Sequence, residues 1–403
     1  MRSTAPGSWR LGHRPALDGI RGLAILIVLA GHAMPHALSF PAAGVALFFV
    51  LSGFLITSLL LEEYEQHGKV NVLGFYGRRA RRLLPAFAVV GLVTFVAMVL
   101  IGQAREGLFD ASIAASYVGN WVMSSGQWLG PLSQTWSLAI EEQFYALWPL
   151  ILLLILPRLS RRSLILAVGL IAVAVMIGRA TLFVGGASTD RLAFGSDVQA
   201  DGLLIGCALA LLIHYRPVTL PKATAPLALG VIIGAAFLLP VVLLLTTTTG
   251  TRPSLLVVLG TTLAVIAAGA LVAALASSSS DPIFEHRWLT RIGLISYGLY
   301  LWHYPVFWFL GFFGDSGYPG VLAVVVGLSV SFALALASYR YVEQPFLNRR
   351  RKPGLANREA RVEPLPSSAL AEVTLVGEAG QYSNRLAGVI VRSLAVPRRQ
   401  RRR

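Results

Sequence analysis

Charge is what this sequence has least of. Only 13% of its 403 residues are Asp, Glu, Lys or Arg, whereas soluble domains carry roughly 25%. Too few polar side chains remain to cover a water-facing surface, which sets aside a large soluble helical protein. Cysteine is reduced to Cys207, inside an apolar run. A lone thiol excludes an intrachain disulfide framework and a cysteine metal cluster, and reads as a small packing residue. The sequence also lacks a GxSxG elbow, an HExxH helix, a cysteine placed beside a base and a P-loop. Serine-hydrolase, zinc-hydrolase, thiol-nucleophile and P-loop phosphoryl-transfer chemistry therefore have no footing, and no metal is expected. The first apolar run, near Leu17 to Ala37, is interrupted by polar residues and has no convincing cleavage site, so no signal peptide is read there.

What fills the chain instead is hydrocarbon, with 55% hydrophobic residues. A membrane core of ~30 Å takes about 20 helical residues to cross. Apolar runs near that length are read at 16–37, 42–62, 83–103, 136–157, 163–184, 197–213, 225–246, 255–275, 292–313 and 320–341. The expected fold is all-α, a polytopic bundle of about ten transmembrane helices whose immediate partner is the lipid bilayer. The net charge of +15 would suit nucleic acid, but its placement argues otherwise, and no nucleic-acid partner is expected. Arg2, Arg10 and Arg14, then Lys69 with Arg78, Arg79, Arg81 and Arg82, then Arg158, Arg161 and Arg162 fall in alternate connections. The series continues through Arg216, Lys222, Arg287 and Arg291, against only Arg105, Arg191 and Arg252 on the other side. That bias predicts both termini in the cytoplasm. Residues 1–15 form a short leading segment, 16–347 the membrane core, and 348–403 a basic tail expected to lack order and to be drawn to anionic lipid. The one apolar patch in that tail is 386–391. A long outer connection, about 104–135, carries Tyr117, Asn120, Trp121 and Trp128. It reads as an interfacial aromatic belt or as a partial lid.

Ionisable residues inside spans are costly and mark function by default. The first span reads LDGIRGLAILIVLAGH. At ~100° per residue, the eleven steps from Arg21 to His32 end about 20° beyond three full turns, and Asp18 falls on the same face. By helical rise Arg21 and His32 stand ~16 Å apart along the membrane normal. Asp18 and Arg21 could equally be an i,i+3 pair anchoring the helix end. The fourth span opens QTWSLAIEEQFYALWP, placing Glu141 and Glu142 just after Trp136. Glu141 reaches a depth comparable to that of His32, so a carboxylate–imidazole pair is expected, orienting the ring as a base.

FYGRRARRLLP sets four arginines beside the membrane. Guanidinium groups hold phosphates bidentately, so Arg78, Arg79 and Arg82 are candidates for a nucleotide-bearing donor, while topogenic charge explains them as well. In ISYGLYLWHYP, Ser296 and Tyr300 are i,i+4 neighbours and could line a cavity or bond other helices. In YRYVEQPF, Arg340 and Glu343 could pair near the cytoplasmic surface, closing the bundle rather than performing chemistry.

Taken in order, these segments and GVALFFVLSGFLIT resemble the membrane acyltransferase-3 family, whose members acylate bacterial surface polysaccharides and some secreted antibiotics. The resemblance covers residues 16 to 347. It implies that Arg21 and His32 are the family's arginine and histidine, Glu141 its glutamate, and Arg78, Arg79 and Arg82 its RRxxR signature. It also implies that Tyr300 and His303 match a YLxHxP pattern. The fused esterase-like domain of some members has no counterpart here, which implies a transfer completed in the membrane or a partner protein. On this basis acyl-CoA, expected to be acetyl-CoA, is the donor and a carbohydrate or glycosylated metabolite such as a macrolide is the acceptor. His32, Glu141 and Arg21 are the expected catalytic set, and Trp136, Tyr300 and His303 the expected substrate contacts. The rival reading is a transporter of a small anionic or acyl-bearing solute, though no inverted repeat is evident. A non-catalytic scaffold explains none of the aligned charges.

Overall fold

The computed structural model describes residues 10–33, 40–216, 220–246, 252–278, 280–313 and 320–348. The tail from 349, with the patch at 386–391, lies outside the described residues. Among the described residues the chain is helical, without strands. The main helices are α1 (Pro15–Ala33), α2 (Ala42–His67), α3 (Val72–Leu100), α4 (Ala104–Ala115), α5 (Gly119–Ser124), α6 (Thr135–Ile155) and α7 (Arg161–Val184). They continue with α8 (Asp201–Tyr215), α9 (Thr224–Leu245), α10 (Pro253–Ser277), α11 (Arg287–Leu294), α12 (Ser296–Phe309) and α13 (Val321–Leu347).

Eight of these (α1, α2, α3, α6, α7, α9, α10 and α13) are long and apolar enough to cross a membrane. The other two expected spans correspond to shorter pieces. α8 has 15 residues, and the run at 292–313 is broken at Ile295 between α11 and the 14-residue α12. The third helix begins eleven residues earlier than the apolar run at 83 implied, because Asn71 caps it by accepting from the Gly74 N–H at 2.8 Å. The arginine cluster is therefore carried on the first turns of α3 rather than on a loop.

Burial sorts the helices into a centre and a rim. The hydrophobic stretch of α2 is 78% buried, whereas those of α3, α7 and α13 are 22% buried. The exposed Leu92, Val96, Leu166, Leu170 and Val325 on those rim helices suit a solvent of lipid tails. α2 and α8 cross backbone to backbone at Gly53 and Gly206. A Cβ at Gly53 would lie 2.0 Å from the Leu203 carbonyl oxygen, and one at Gly206 would lie 2.1 Å from that of Val50. Membrane helices gain contact through such small residues because lipid supplies no hydrophobic drive for pairing. The Cys207 thiol sits 3.7 Å from the Gly53 carbonyl in this seam, the packing role expected of it. Gly206→Val should cost about 3 kcal/mol, the upper end for overpacking, because backbone cannot yield as a side chain does. Fluorescence-detected gel filtration after a thermal ramp would show it as an early loss of the monodisperse peak.

α7 and α8 are joined by a buried ion pair, Arg179 to Asp201 at 2.8 Å, both fully inaccessible. Arg179 also donates to the Val198 carbonyl at 2.7 Å and to Thr262 at 2.9 Å. Beside the Arg79–Glu142 pair along α6, Asn120, Gln143 and Ser196 close a hydrogen-bonded ring. Gln143 donates to the Asn120 carbonyl oxygen at 2.9 Å, Asn120 donates to Ser196 at 2.9 Å, and Ser196 returns to Gln143 at 2.7 Å. The ring fastens the 104–135 connection onto α6.

Candidate active site

Two cavities lie toward opposite ends of α1. One, of about 240 Å³, is lined by Arg21, Arg79, Arg82, Ser52, Glu141 and Tyr300. Because α1 and α3 both begin near it, it opens toward the arginine-rich end, and we call it the basic cavity. The other, of about 530 Å³, has His32, Trp128, Trp136, Gln134, Tyr300 and Tyr304 in its wall and is called the aromatic cavity. The polar stripe of α1 thus serves both. Arg21 stands in one and His32 in the other, while Asp18 makes the i,i+3 ion pair with Arg21 at 2.8 Å.

Tyr300 and Val45 line both cavities, so the wall between them is one side chain thick there. The Tyr300 ring is held from α6: its hydroxyl donates to the Gln134 carbonyl at 2.9 Å and shares a 2.6 Å hydrogen bond with the Ser137 hydroxyl. Gln134 in turn donates to the Leu301 carbonyl at 3.0 Å, locking the start of α6 to α12. Ser296, the i−4 neighbour of Tyr300, also faces the basic cavity.

In and beside the basic cavity the arginines differ in what they have already spent. Arg78 pairs with Glu63 at 3.2 Å. Arg79 reaches Glu142 at 3.4 Å and lies 3.3 Å above the centre of the Tyr145 ring. Arg82 lines both this cavity and an adjoining crevice of about 390 Å³ that also holds Arg78 and His67. Among the described residues it makes no hydrogen bond or ion pair, although the Glu343 carboxylate is near enough to act on its charge. Glu141 accepts from the Ser52 hydroxyl at 2.8 Å.

That bond corrects the expected Glu141–His32 pair. The expected match in depth fails: Glu141 lines the basic cavity with Arg21, facing α2 and the arginines, whereas His32 lines the aromatic cavity toward the other end of α1. His32 instead faces α12, with its Nδ1 3.2 Å from Nε2 of His303. His303 is fully buried, its Nδ1 lies 3.0 Å from the Leu299 carbonyl, and it stands behind His32 rather than in the cavity wall, so it is not placed to contact substrate as expected. Trp136 does line the cavity, edge-on to Phe194 with centroids 5.1 Å apart. The 104–135 connection supplies Trp128 and Met123 to the same wall, so part of it is a cover for the cavity, while Trp121 remains exposed beneath Arg191.

Two further readings change. Arg340 does not pair with Glu343: the guanidinium lies over the Tyr341 ring, and the carboxylate, buried on the π-helical turn Tyr339–Glu343, faces Gly298. The wider π turn rotates residue 343 away from residue 340. Sequence reasoning also passed over Ser52, although it sits inside a quoted motif, and over Arg179 and Asp201. Those two ionisable groups stand in apolar runs, which is the signal that singled out His32.

Residues 14–340 match a family model described as an acyltransferase domain, Acyl_transf_3. The chain is 34% identical over 349 residues to the O-acetyltransferase OatA of Staphylococcus aureus (strain NCTC 8325 / PS 47), an alignment covering 82% of this chain and 57% of the relative. It is 33% identical over 361 residues to the peptidoglycan O-acetyltransferase OatA of Listeria monocytogenes serovar 1/2a (strain ATCC BAA-679 / EGD-e), covering 85% and 56%. A putative O-acetyltransferase, SAS0844 of Staphylococcus aureus (strain MSSA476), matches at 32% identity over 364 residues, covering 86% and 58%. The chain thus spans little more than half the length of these curated relatives. No solved structure matches. A six-motif resemblance, a family match over most of the helical core and relatives above 30% identity agree: this multi-pass membrane protein belongs to the acyltransferase-3 family.

Proposed function

We propose that the chain transfers an acyl group, most simply acetyl, from acyl-CoA to a hydroxyl of a cell-surface glycan or a glycosylated metabolite. The observation that carries this reading is the pair of cavities sharing Tyr300, one edged by arginines and the other by an imidazole. By charge bias the basic cavity faces the cytoplasm, where acyl-CoA is made. Its donors suit the CoA phosphates, with Arg82 the guanidinium that has no hydrogen bond or ion pair among the described residues to give up. Glu141, held by Ser52, offsets the positive charge of Arg21 and Arg79 and keeps the thioester end of the cavity from being wholly cationic. The aromatic cavity suits a sugar, whose C–H faces pack on rings while its hydroxyls meet Gln134 and Ser133. There His32 accepts the proton of the attacking hydroxyl, a contribution typically worth 10²–10⁴-fold. The relatives' names, O-acetyltransferase and peptidoglycan O-acetyltransferase, support an acetyl donor and a glycan acceptor.

Purified protein in nanodiscs, given radiolabelled acetyl-CoA and a panel of chito-oligosaccharides, muropeptides and macrolides, should yield labelled ester on one acceptor class. Labelled solute crossing proteoliposomes with no ester formed would return the transporter reading. Arg82→Gln should raise the KM for acetyl-CoA about tenfold with kcat nearly unchanged, the pattern of lost uniform binding. An unchanged KM would remove Arg82 from the donor site.

A further inference from the structure

His303 is fully buried and lines neither cavity, yet the base assigned above depends on it. We propose that His303 is a positioning residue that fixes the tautomer of His32, leaving the His32 Nε2 electron pair to take the acceptor's proton. The inference rests on the reading of His32 as the base. It adds how a neutral imidazole is set with the correct nitrogen unprotonated.

The hydrogen bonds determine the order of protons. A backbone carbonyl can only accept, so the 3.0 Å contact between His303 Nδ1 and Leu299 places a hydrogen on that Nδ1. His303 is fully buried, with the rings of Tyr300, Tyr304 and Phe307 around it. No carboxylate meets it among the described residues, so the ring is neutral. A neutral ring with Nδ1–H has its electron pair on Nε2. That pair faces His32 Nδ1 at 3.2 Å, and His32 Nδ1 must therefore be the donor. A neutral His32 that donates from Nδ1 has its own pair on Nε2. Two imidazoles and one carbonyl thus transmit a single choice, as a second hydrogen-bonded group commonly does for a functional histidine. The edge-on Tyr304 and Phe313 rings, 5.4 and 6.0 Å from His32 by centroid, hold the His32 ring plane.

The step balances without a further reagent. The acceptor O–H gives its proton to His32 Nε2, and the oxygen bonds the thioester carbonyl carbon. The C–S bond then breaks, and the departing CoA sulfur takes the proton back from Nε2. Through the cationic stage His32 Nδ1–H keeps donating to His303 Nε2, so the new charge has an acceptor aimed at it from the start. Without His303, the acceptor that holds the hydrogen on His32 Nδ1 is removed, and the tautomer with hydrogen on Nε2, which cannot accept the proton, becomes available.

The test compares His303→Leu, His303→Gln and His32→Ala in nanodiscs with acetyl-CoA and the acceptor class found above. It is paired with ¹⁵N solid-state NMR of histidine-labelled protein, the His32 signals being assigned by their loss in His32→Ala. His303→Leu is expected to lower kcat about 10²-fold, within the span of a general base, with KM for acetyl-CoA unchanged. His303→Gln, whose amide oxygen can stand where Nε2 stood, is expected to recover at least tenfold over His303→Leu. The wild-type His32 should show protonated Nδ1 and bare Nε2. A folded His303→Leu with full kcat, or wild-type His32 protonated at Nε2, overturns the proposal. If His303→Leu does not fold, the glutamine variant and the wild-type NMR signal still decide it. Activity persisting in His32→Ala would instead defeat the reading of His32 as base, and the tautomer would still be read from the spectrum.

Discussion

Purified His32→Ala protein should lose at least ~10³-fold in acyl transfer, toward the upper part of the range for general-base catalysis, and still elute as a folded species. The size of the effect follows from where the ring stands. It is half-buried at the last turn of α1, in the wall of the aromatic cavity, and removing it leaves no nitrogen base facing that space among the described residues. The fold should tolerate the change because the packed part of α1 lies earlier, at Ile20, Ala24, Ile25 and Val28, each fully buried. His303, stripped of its partner, would face the space vacated by the ring, where water can satisfy Nε2. Donor binding should persist, since Arg21 and Arg82 lie in the other cavity. An equilibrium measurement with a non-hydrolysable acetyl-CoA analogue separates the two effects. Near-normal turnover would refute the assignment, whereas lost turnover with intact analogue binding would support it.

The largest stability effect should come from Asp201→Ala. It leaves the Arg179 guanidinium charged and sealed inside the bundle, and breaking a buried pair in this way costs about 3–5 kcal/mol. Val198 and Thr262 would still accept from it, but neither carries charge. Replacing both partners should be milder than removing one, because Arg179→Met with Asp201→Leu leaves no orphan. Thermal unfolding of the two single variants and the double in one detergent provides the cycle. If Asp201→Ala melts with the wild type, the pair is not sealed as described.

Much of the architecture was readable in advance because lipid makes it so. Backbone groups in hydrocarbon must be satisfied within the segment, so long apolar runs have helix as their outcome. Where runs were short or mixed, reading failed for a physical reason. The 292–313 run breaks at Ile295, and α3 starts well before its apolar part because a capping asparagine, not hydrophobicity, sets its beginning. The site was legible along single helices but not between them. Periodicity put Arg21 and His32 on one face, and both do face cavities. Helical rise suggested that Glu141 would reach the depth of His32, but how α6 sits against α1 and α2 is fixed by packing, which leaves Glu141 in the basic cavity against Ser52 and His32 in the other. Tyr300 and His303 share a motif on α12, yet one forms a wall and the other lies behind it. Nothing in a one-dimensional pattern distinguishes a side chain that lines space from one that supports the lining.

The thin wall at Tyr300 has a consequence for what must travel across the bilayer on the acyl-transfer reading. A CoA molecule carries several negative charges and a surface glycan many hydroxyls, and either would be costly to move through hydrocarbon. With a reaction centre at the partition between two half-channels, neither has to move through. The entity that changes sides is a neutral carbonyl fragment passed past one phenol ring, so the thioester bond supplies the driving force and no ion gradient is required. Such a protein would be a vectorial enzyme, exporting a chemical group while retaining its carrier.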